Sequence, residues 1–266
     1  MSTGTELDVV SRGLANQTLP VPPQHNSVEL ERAYRKERLA GAIRIFGRFG
    51  FAEGVAGHIT VRDPEFPDMF WVNPFGVSFR QVKVSNLILV NHKGDVVHGD
   101  YPVNRAAFAI HSAIHMQRPD VVSAAHAHSI YGKAFSALHK PLRYLTQDDC
   151  AFYNDVDLIK DNGGQVVFDT ALGESFASSF TKKAAIHANH GLFTSGASVE
   201  EAAFWFVSLE RSCQTQLLAL SAGKPVDIKD EWAAESYRIT GSSYAGWLSF
   251  QPLWQDIALS DPDLFT

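Results

Sequence analysis

The sequence predicts an α/β fold, and three features of it carry that prediction. Two long segments with helix caps occupy residues 27–50 and 198–222. Two near-continuous apolar runs of strand length lie at 121–125 and 184–188. Helical and strand-like segments alternate along most of the chain rather than falling into separate blocks.

The elements follow in order. Ser27 is a suitable N-cap for a helix ending at Gly50, with a buried stripe expected at Leu30, Tyr34, Ala40, Ile43 and Phe46. Ile59 and Val61 alternate with polar neighbours over 58–62, a strand signature that Asp63-Pro64 and Phe66-Pro67 interrupt. A second short strand, 69–73, is closed by Pro74 and Gly76, and 87–91 with 96–98 flank Lys93-Gly94-Asp95 as a hairpin. Helix returns over 106–117, before Pro119. The run 121–125 lacks polar alternation, which predicts a central strand covered on both faces, and it leads into His126-Ala127-His128. Residues 129–138 and 172–180 read as helices and 184–188 as a strand. Asn189-His190-Gly191 reads as a sharp bend, after which Leu192 and Phe193 continue the sheet. Ser198 caps the long helix 199–222 with Glu201 three residues on, and Lys224-Pro225 terminates it. The aromatic-rich tail, 232–254, is expected to pack. Residues 1–26 are polar, contain Leu19-Pro20-Val21-Pro22-Pro23 and are expected to be a flexible arm, leaving 27–266 as one domain.

Composition narrows the function. A formal charge of −6 argues against a nucleic-acid or acidic-membrane surface. No run approaches the roughly 18 apolar residues of a membrane helix, and none has signal-peptide form. The two cysteines, Cys150 and Cys213, lack C-x-x-C spacing, so neither a disulfide framework nor a cysteine metal site is expected. A reducing compartment, and so a cytoplasmic protein, fits best.

Eleven histidines carry the chemistry. His25, His92, His98 and His139 read as surface or hydrogen-bonded residues. His111 and His115 share a helix face but lack the glutamate of H-E-x-x-H, so packing or a subunit contact is the better reading. His126 and His128 differ, because the two-residue period of a strand aims both rings to one side at the end of a buried strand. His190, at a bend that also ends an apolar strand, is the best third donor. Three neutral imidazoles with open positions suit one divalent metal ion, Zn²⁺ or Fe²⁺, with Mn²⁺ or Co²⁺ also possible.

At these residues the sequence resembles the class II aldolase and adducin family. The resemblance rests on the segment Gly57-His58-Ile59-Thr60-Val61-Arg62 and on Asn73-Pro74-Phe75-Gly76, Arg118-Pro119-Asp120, His126-Ala127-His128 and Asn189-His190-Gly191, and spans roughly residues 30–222. It implies a three-layer α/β/α fold around a mainly antiparallel sheet and a homotetramer with sites at subunit interfaces. It also implies a metal held by His126, His128 and His190.

Departures from the family pattern are equally informative. Ala107 stands where the aldolases place a catalytic glutamate, and Arg105 and Ala106 replace two phosphate-binding serines. His58 replaces an asparagine, and Phe75 a small residue. His58 and Arg105 thereby become substrate-binding candidates, Arg105 as a bidentate carboxylate grip. Asp148, in a loop expected to return near the metal beside Asp149, Tyr144 and Tyr153, is the candidate for proton transfer. The resemblance also makes Tyr237, Tyr244 and Trp247 candidates to cover a neighbouring subunit's site, with core packing the better reading of Trp247.

Three readings follow. The first is a metal-dependent, aldolase-like lyase acting on a small carbonyl or carboxylate compound rather than a sugar phosphate. The second is a non-heme iron oxygenase/decarboxylase of an aromatic 2-keto acid, resembling relatives in aminocoumarin pathways, with Phe75 and Trp71 expected near the mouth. The third is a non-catalytic, adducin-like interaction module.

Overall fold

The computed structural model describes residues 19–167 and 169–266. Of the arm expected over 1–26, residues 1–18 lie outside the described residues. Residues 19–25 have no regular structure, and the Pro20 carbonyl accepts a hydrogen bond from Tyr244 Oη at 2.8 Å.

Eight strands form one sheet: β1 (His58–Arg62), β2 (Met69–Val72), β3 (Ile88–Asn91), β4 (Val96–His98), β5 (Ser123–Ala127), β6 (Val156–Ile159), β7 (Ala184–His187) and β8 (Gly191–Gly196). Their order is β4-β3-β2-β1-β5-β8-β7-β6. Every neighbouring pair is antiparallel except β6 with β7, so the sheet is mainly antiparallel, as expected.

Seven α-helices are described: α1 (Val28–Arg48), α2 (Arg105–Gln117), α3 (Ile130–Ser136), α4 (Thr170–Ser179), α5 (Val199–Ala222), α6 (Asp230–Thr240) and α7 (Ser243–Ser260). Strand alternation sorts the core into layers. Ile59, Val61, Ala125, Ala127 and Leu192 face the cluster built with α1, α5 and α7. Ala124 and Phe193 face the opposite cluster, built with α2 and α4. His58, Thr60 and His126, offset by one residue from the first set, therefore look toward α2.

Caps explain the helix starts. Ser27 accepts from the Leu30 amide and Ser198 from the Glu201 amide, each at 3.2 Å. Helix α1 corrects the expected stripe: Leu30 is 57% exposed, and burial is continuous only over residues 39–47, the half that lies against the sheet. The aromatic tail packs as α6 and α7, with Tyr244, Trp247 and Phe250 buried. No helix among the described residues is long and apolar enough to cross a membrane.

Candidate metal centre

Strand pairing assembles the site. His58 on β1 lies directly across from His126 on β5, and His126 lies across from Phe193 on β8. His128 follows β5 by one residue and remains on the side of His126. His190 occupies the tight link between β7 and β8, where Asn189 takes a left-handed φ of 54°. Asparagine tolerates that conformation better than most residues, so the link can reverse within a few residues. Gly57 permits a second close approach: at φ 96°, a Cβ there would stand 3.2 Å from both Ala127 Cα and the His126 carbonyl oxygen.

The rings of His126, His128 and His190 converge. Their centroids are 4.8 Å (126–190), 5.1 Å (126–128) and 5.1 Å (128–190) apart. One nitrogen from each lies within 4.8 Å of the other two. His126 stacks on Phe193 with centroids 4.0 Å apart and planes 9° from parallel. Its Nδ1 is 2.8 Å from the Leu192 carbonyl oxygen, which can only accept, so the proton sits on Nδ1 and Nε2 keeps its lone pair. His128 Nε2 and His190 Nε2 are 3.2 Å apart. Two imidazole nitrogens that close need a proton or a metal ion between or beside them. Burial, reinforced by the neighbouring imidazoles, holds His126 well below its ordinary range and His190 at about 3. His128 is lowered by burial and then by Lys133. Neutral, preoriented imidazoles of this kind fit a divalent cation.

A cavity of about 560 Å³ opens over the three rings. Val55, Phe75, Ile110, Val166 and Val167 give it apolar walls, and His58 and Lys133 add polar groups. Lys133 is paired with Glu53, whose carboxylate is also felt electrostatically by His128. His58 is 5% exposed, and neither of its ring nitrogens has a hydrogen-bond partner among the described residues. Its ring lies edge-on to His111, with centroids 4.1 Å apart. Thr60 Oγ1 sits between His111 Nδ1 at 2.7 Å and His115 Nε2 at 2.8 Å. The packing reading of His111 and His115 therefore holds.

Other candidates lie apart from this centre. Asp148 opens a 3₁₀ turn, Asp148–Phe152, and lines a different cavity with Phe204, Tyr244 and Leu248. The loop carrying it docks against α5 and α6 instead of returning to the histidines, which corrects the expected placement. Its neighbour Asp149 is buried and accepts from the Leu145 and Thr146 amides, a structural turn. Arg105 is exposed on the first turn of α2 and is not among the residues lining the cavity, although Asn104 is. Trp71 is buried on the opposite face, where its Nε1 donates to Asp63 at 2.8 Å. Phe75 does line the cavity, as expected. Sequence reasoning missed Lys133, Glu53 and His187. Lys133 follows His128 by five residues, into the next helix, and no motif marked it.

Residues 37–217 match the family described as Class II Aldolase and Adducin N-terminal domain. The chain is 43% identical over 248 residues to decarboxylase NovR of Streptomyces niveus, covering 92% of each protein. It is 41% identical over 246 residues to the 4-hydroxy-3-prenylphenylpyruvate oxygenase/4-hydroxy-3-prenylbenzoate synthase of Streptomyces roseochromogenus subsp. oscitans, covering 91% of this chain and 88% of that one. A solved structure described as L-fuculose 1-phosphate aldolase from Glaciozyma antarctica PI12 superposes with a TM-score of 0.85 at 46% identity, covering 92% of this chain and 97% of that one.

Proposed function

The chain belongs to the class II aldolase and adducin family, and on that premise we propose a metal-dependent enzyme that oxidatively decarboxylates an aromatic 2-oxo acid. One observation carries the reading. Among the described residues the ligand cluster consists of three histidines and no carboxylate, beneath a cavity with mostly apolar walls. Three imidazoles leave up to three positions on an octahedral cation, enough for a bidentate 2-oxo acid and one further small molecule. The relatives described as a decarboxylase and as a prenylphenylpyruvate oxygenase support the same chemistry.

A ferrous ion in this centre would supply Lewis acidity toward the oxo acid and the redox capacity that reaction with dioxygen requires. The chain's own groups do the rest. Phe75, Val55 and Val166 cover an aromatic ring and exclude water from the reacting end. Lys133, released from Glu53, pairs with the substrate carboxylate. His58, kept neutral by burial, offers its one ring N–H to a substrate oxygen beside the metal ligands. Arg105, exposed near the rim, draws acids toward the opening.

A retro-aldol lyase is the second reading, favoured by the 46% identity to the fuculose-phosphate aldolase structure. It requires proton transfer from a group other than the family glutamate, because Ala107 holds that position. Glu53, paired with the cavity-lining Lys133, is the carboxylate then available.

Anaerobically prepared protein loaded with Fe²⁺, given 4-hydroxyphenylpyruvate and air, should consume oxygen and release CO₂. Cleavage of L-fuculose 1-phosphate by the zinc-loaded protein, with no oxygen uptake under any loading, would establish the lyase instead.

A further inference from the structure

We infer that His187, which none of the ligand arguments requires, is a positioning residue that fixes the tautomer and ring orientation of the metal ligand His190. The inference rests on the metal-centre reading above and adds a residue to it.

The relay starts at a backbone carbonyl. His187 Nε2 lies 2.9 Å from the Asp161 carbonyl oxygen. A carbonyl accepts and never donates, so Nε2 carries the proton of this neutral ring. His187 Nδ1 is then a bare acceptor. It stands 3.2 Å from His190 Nδ1, which must therefore be the donor. With its proton on Nδ1, His190 keeps its lone pair on Nε2, the nitrogen that faces His128 Nε2. The order Asp161 carbonyl, His187, His190 thus presents a ligand atom with the correct valence before any metal arrives.

Local structure holds the relay in place. His187 is the last residue of β7 and is 1% exposed; its ring packs against Phe176 of α4 at a centroid distance of 5.1 Å. The Ala188 amide donates to the Ile159 carbonyl at 2.8 Å, and the Asp161 segment follows directly from β6, the parallel neighbour of β7. Close packing constrains this return: a Cβ at Gly163 would meet the Ala188 carbonyl oxygen at 2.4 Å. The middle member of the relay is thus on a paired strand, and both ends lie in turns that leave paired strands. His126 reaches the same state by a separate route, through the Leu192 carbonyl.

The test uses full-length metal-stripped protein and three variants, with Zn²⁺ affinity measured by competition with a chromophoric chelator and the fold checked by circular dichroism. His187→Leu keeps bulk but removes the acceptor, and should weaken Zn²⁺ binding by about 10–100-fold. His187→Asn places its amide Oδ1 near the former Nδ1 and should recover most of that loss. His187→Gln mainly replaces the outer donor and should recover less. Leu and Asn variants that both bind within twofold of the parent would overturn the inference. So would equal losses in the two, which would mark a purely steric role. If His187→Leu fails to fold, imidazole ¹⁵N shifts of the parent decide: a protonated Nδ1 on His190 supports the relay and a protonated Nε2 refutes it. Parent protein that binds no divalent metal would instead defeat the metal-centre reading itself.

Discussion

Glu210 offers the sharpest test of how the fold holds the site. It lies on α5, is 4% exposed, and aims its carboxylate at the start of α3, the helix that begins two residues after His128. Its Oε2 accepts from Ser129 Oγ at 2.5 Å and the Gly132 amide at 2.6 Å, and its Oε1 accepts from the Tyr131 amide at 2.9 Å. Ser129 itself makes no side-chain cap, so the capping is done by Glu210 from another helix. Glu210→Gln keeps the shape but supplies one acceptor in place of two. In its better orientation the amide oxygen keeps Ser129 and Gly132, while its NH₂ faces the Tyr131 N–H, leaving one donor without a partner. An unsatisfied donor costs about 1–3 kcal/mol, and loss of negative charge at a helix N-terminus costs about 0.3–1 kcal/mol more, together about 1.3–4 kcal/mol. At this chain length each kcal/mol lowers Tm by about 2 °C, so a fall of about 3–8 °C is expected in scanning calorimetry at matched protein concentration. Zn²⁺ affinity should fall as well, because His128 loses its anchored neighbour. A Tm within about 1 °C of the parent would show that these hydrogen bonds do not hold α3, and the reasoning would fail.

Further outcomes are expected. His126→Ala or His190→Ala should abolish stoichiometric metal binding by plasma emission spectrometry while leaving the circular dichroism spectrum intact; full occupancy in either would remove that residue from the ligand set. Asp148→Ala should leave metal affinity unchanged, because the residue lines a separate cavity; a tenfold loss would mean that it reaches the centre of a neighbouring subunit. The metal-free protein should lose stability as pH falls below about 6.5. His58, His111 and His126 are held well below that value by burial, and His115 and His190 at about 3, so the unfolded chain takes up protons that the folded chain refuses. Each contributes stability that is complete above pH 6.5 and is lost toward its folded value, with a slope of up to about 1.4 kcal/mol per pH unit. Urea midpoints that stay flat between pH 7 and 5 would contradict this. Light scattering should give four times the 29.3 kDa chain mass if the tetramer implied by the family likeness forms.

What the sequence disclosed depended on whether a signal was local. Helix α5 was legible at both ends because Ser198 caps it and Pro225 follows it, and Val199–Ala222 is the helix observed. The three-histidine cluster was legible because two histidines at strand spacing and one at a strand-ending bend are each local patterns. Strand β6 was missed: four residues that include an aspartate, at a sheet edge and only partly buried, carry neither alternation nor a continuous apolar run. Asp148 was misplaced because nothing local tells which side of the sheet a loop will return to. His187 and Lys133 gave no signal of their own, since each acquires a role only through a partner on a different element.

The ligand geometry is best understood as a consequence of register and side-chain size. His58, Thr60 and His126 occupy the α2 face of two paired strands, a face that elsewhere carries Ala124, Phe193 and other apolar residues. A slip of β1 by one residue against β5 would send His58 and Thr60 into the opposite cluster and bring Ile59 and Val61 to the side of His126. Small side chains on β5, in the order Ser123-Ala124-Ala125-His126-Ala127, let α2 approach closely enough for His111 and His115 to share Thr60 Oγ1. The same closeness lets Phe193 lie flat on His126. The apolar packing that fixes the register is thereby also what strips water from the imidazoles and keeps them neutral. Enlarging Ala124 to Leu therefore ought to disturb the metal centre without touching any ligand: displacement of α2 would loosen the imidazole set and weaken Zn²⁺ binding together with stability. Unchanged affinity in a destabilised Ala124→Leu protein would separate the two effects and show that the ligands are positioned by their own strands alone.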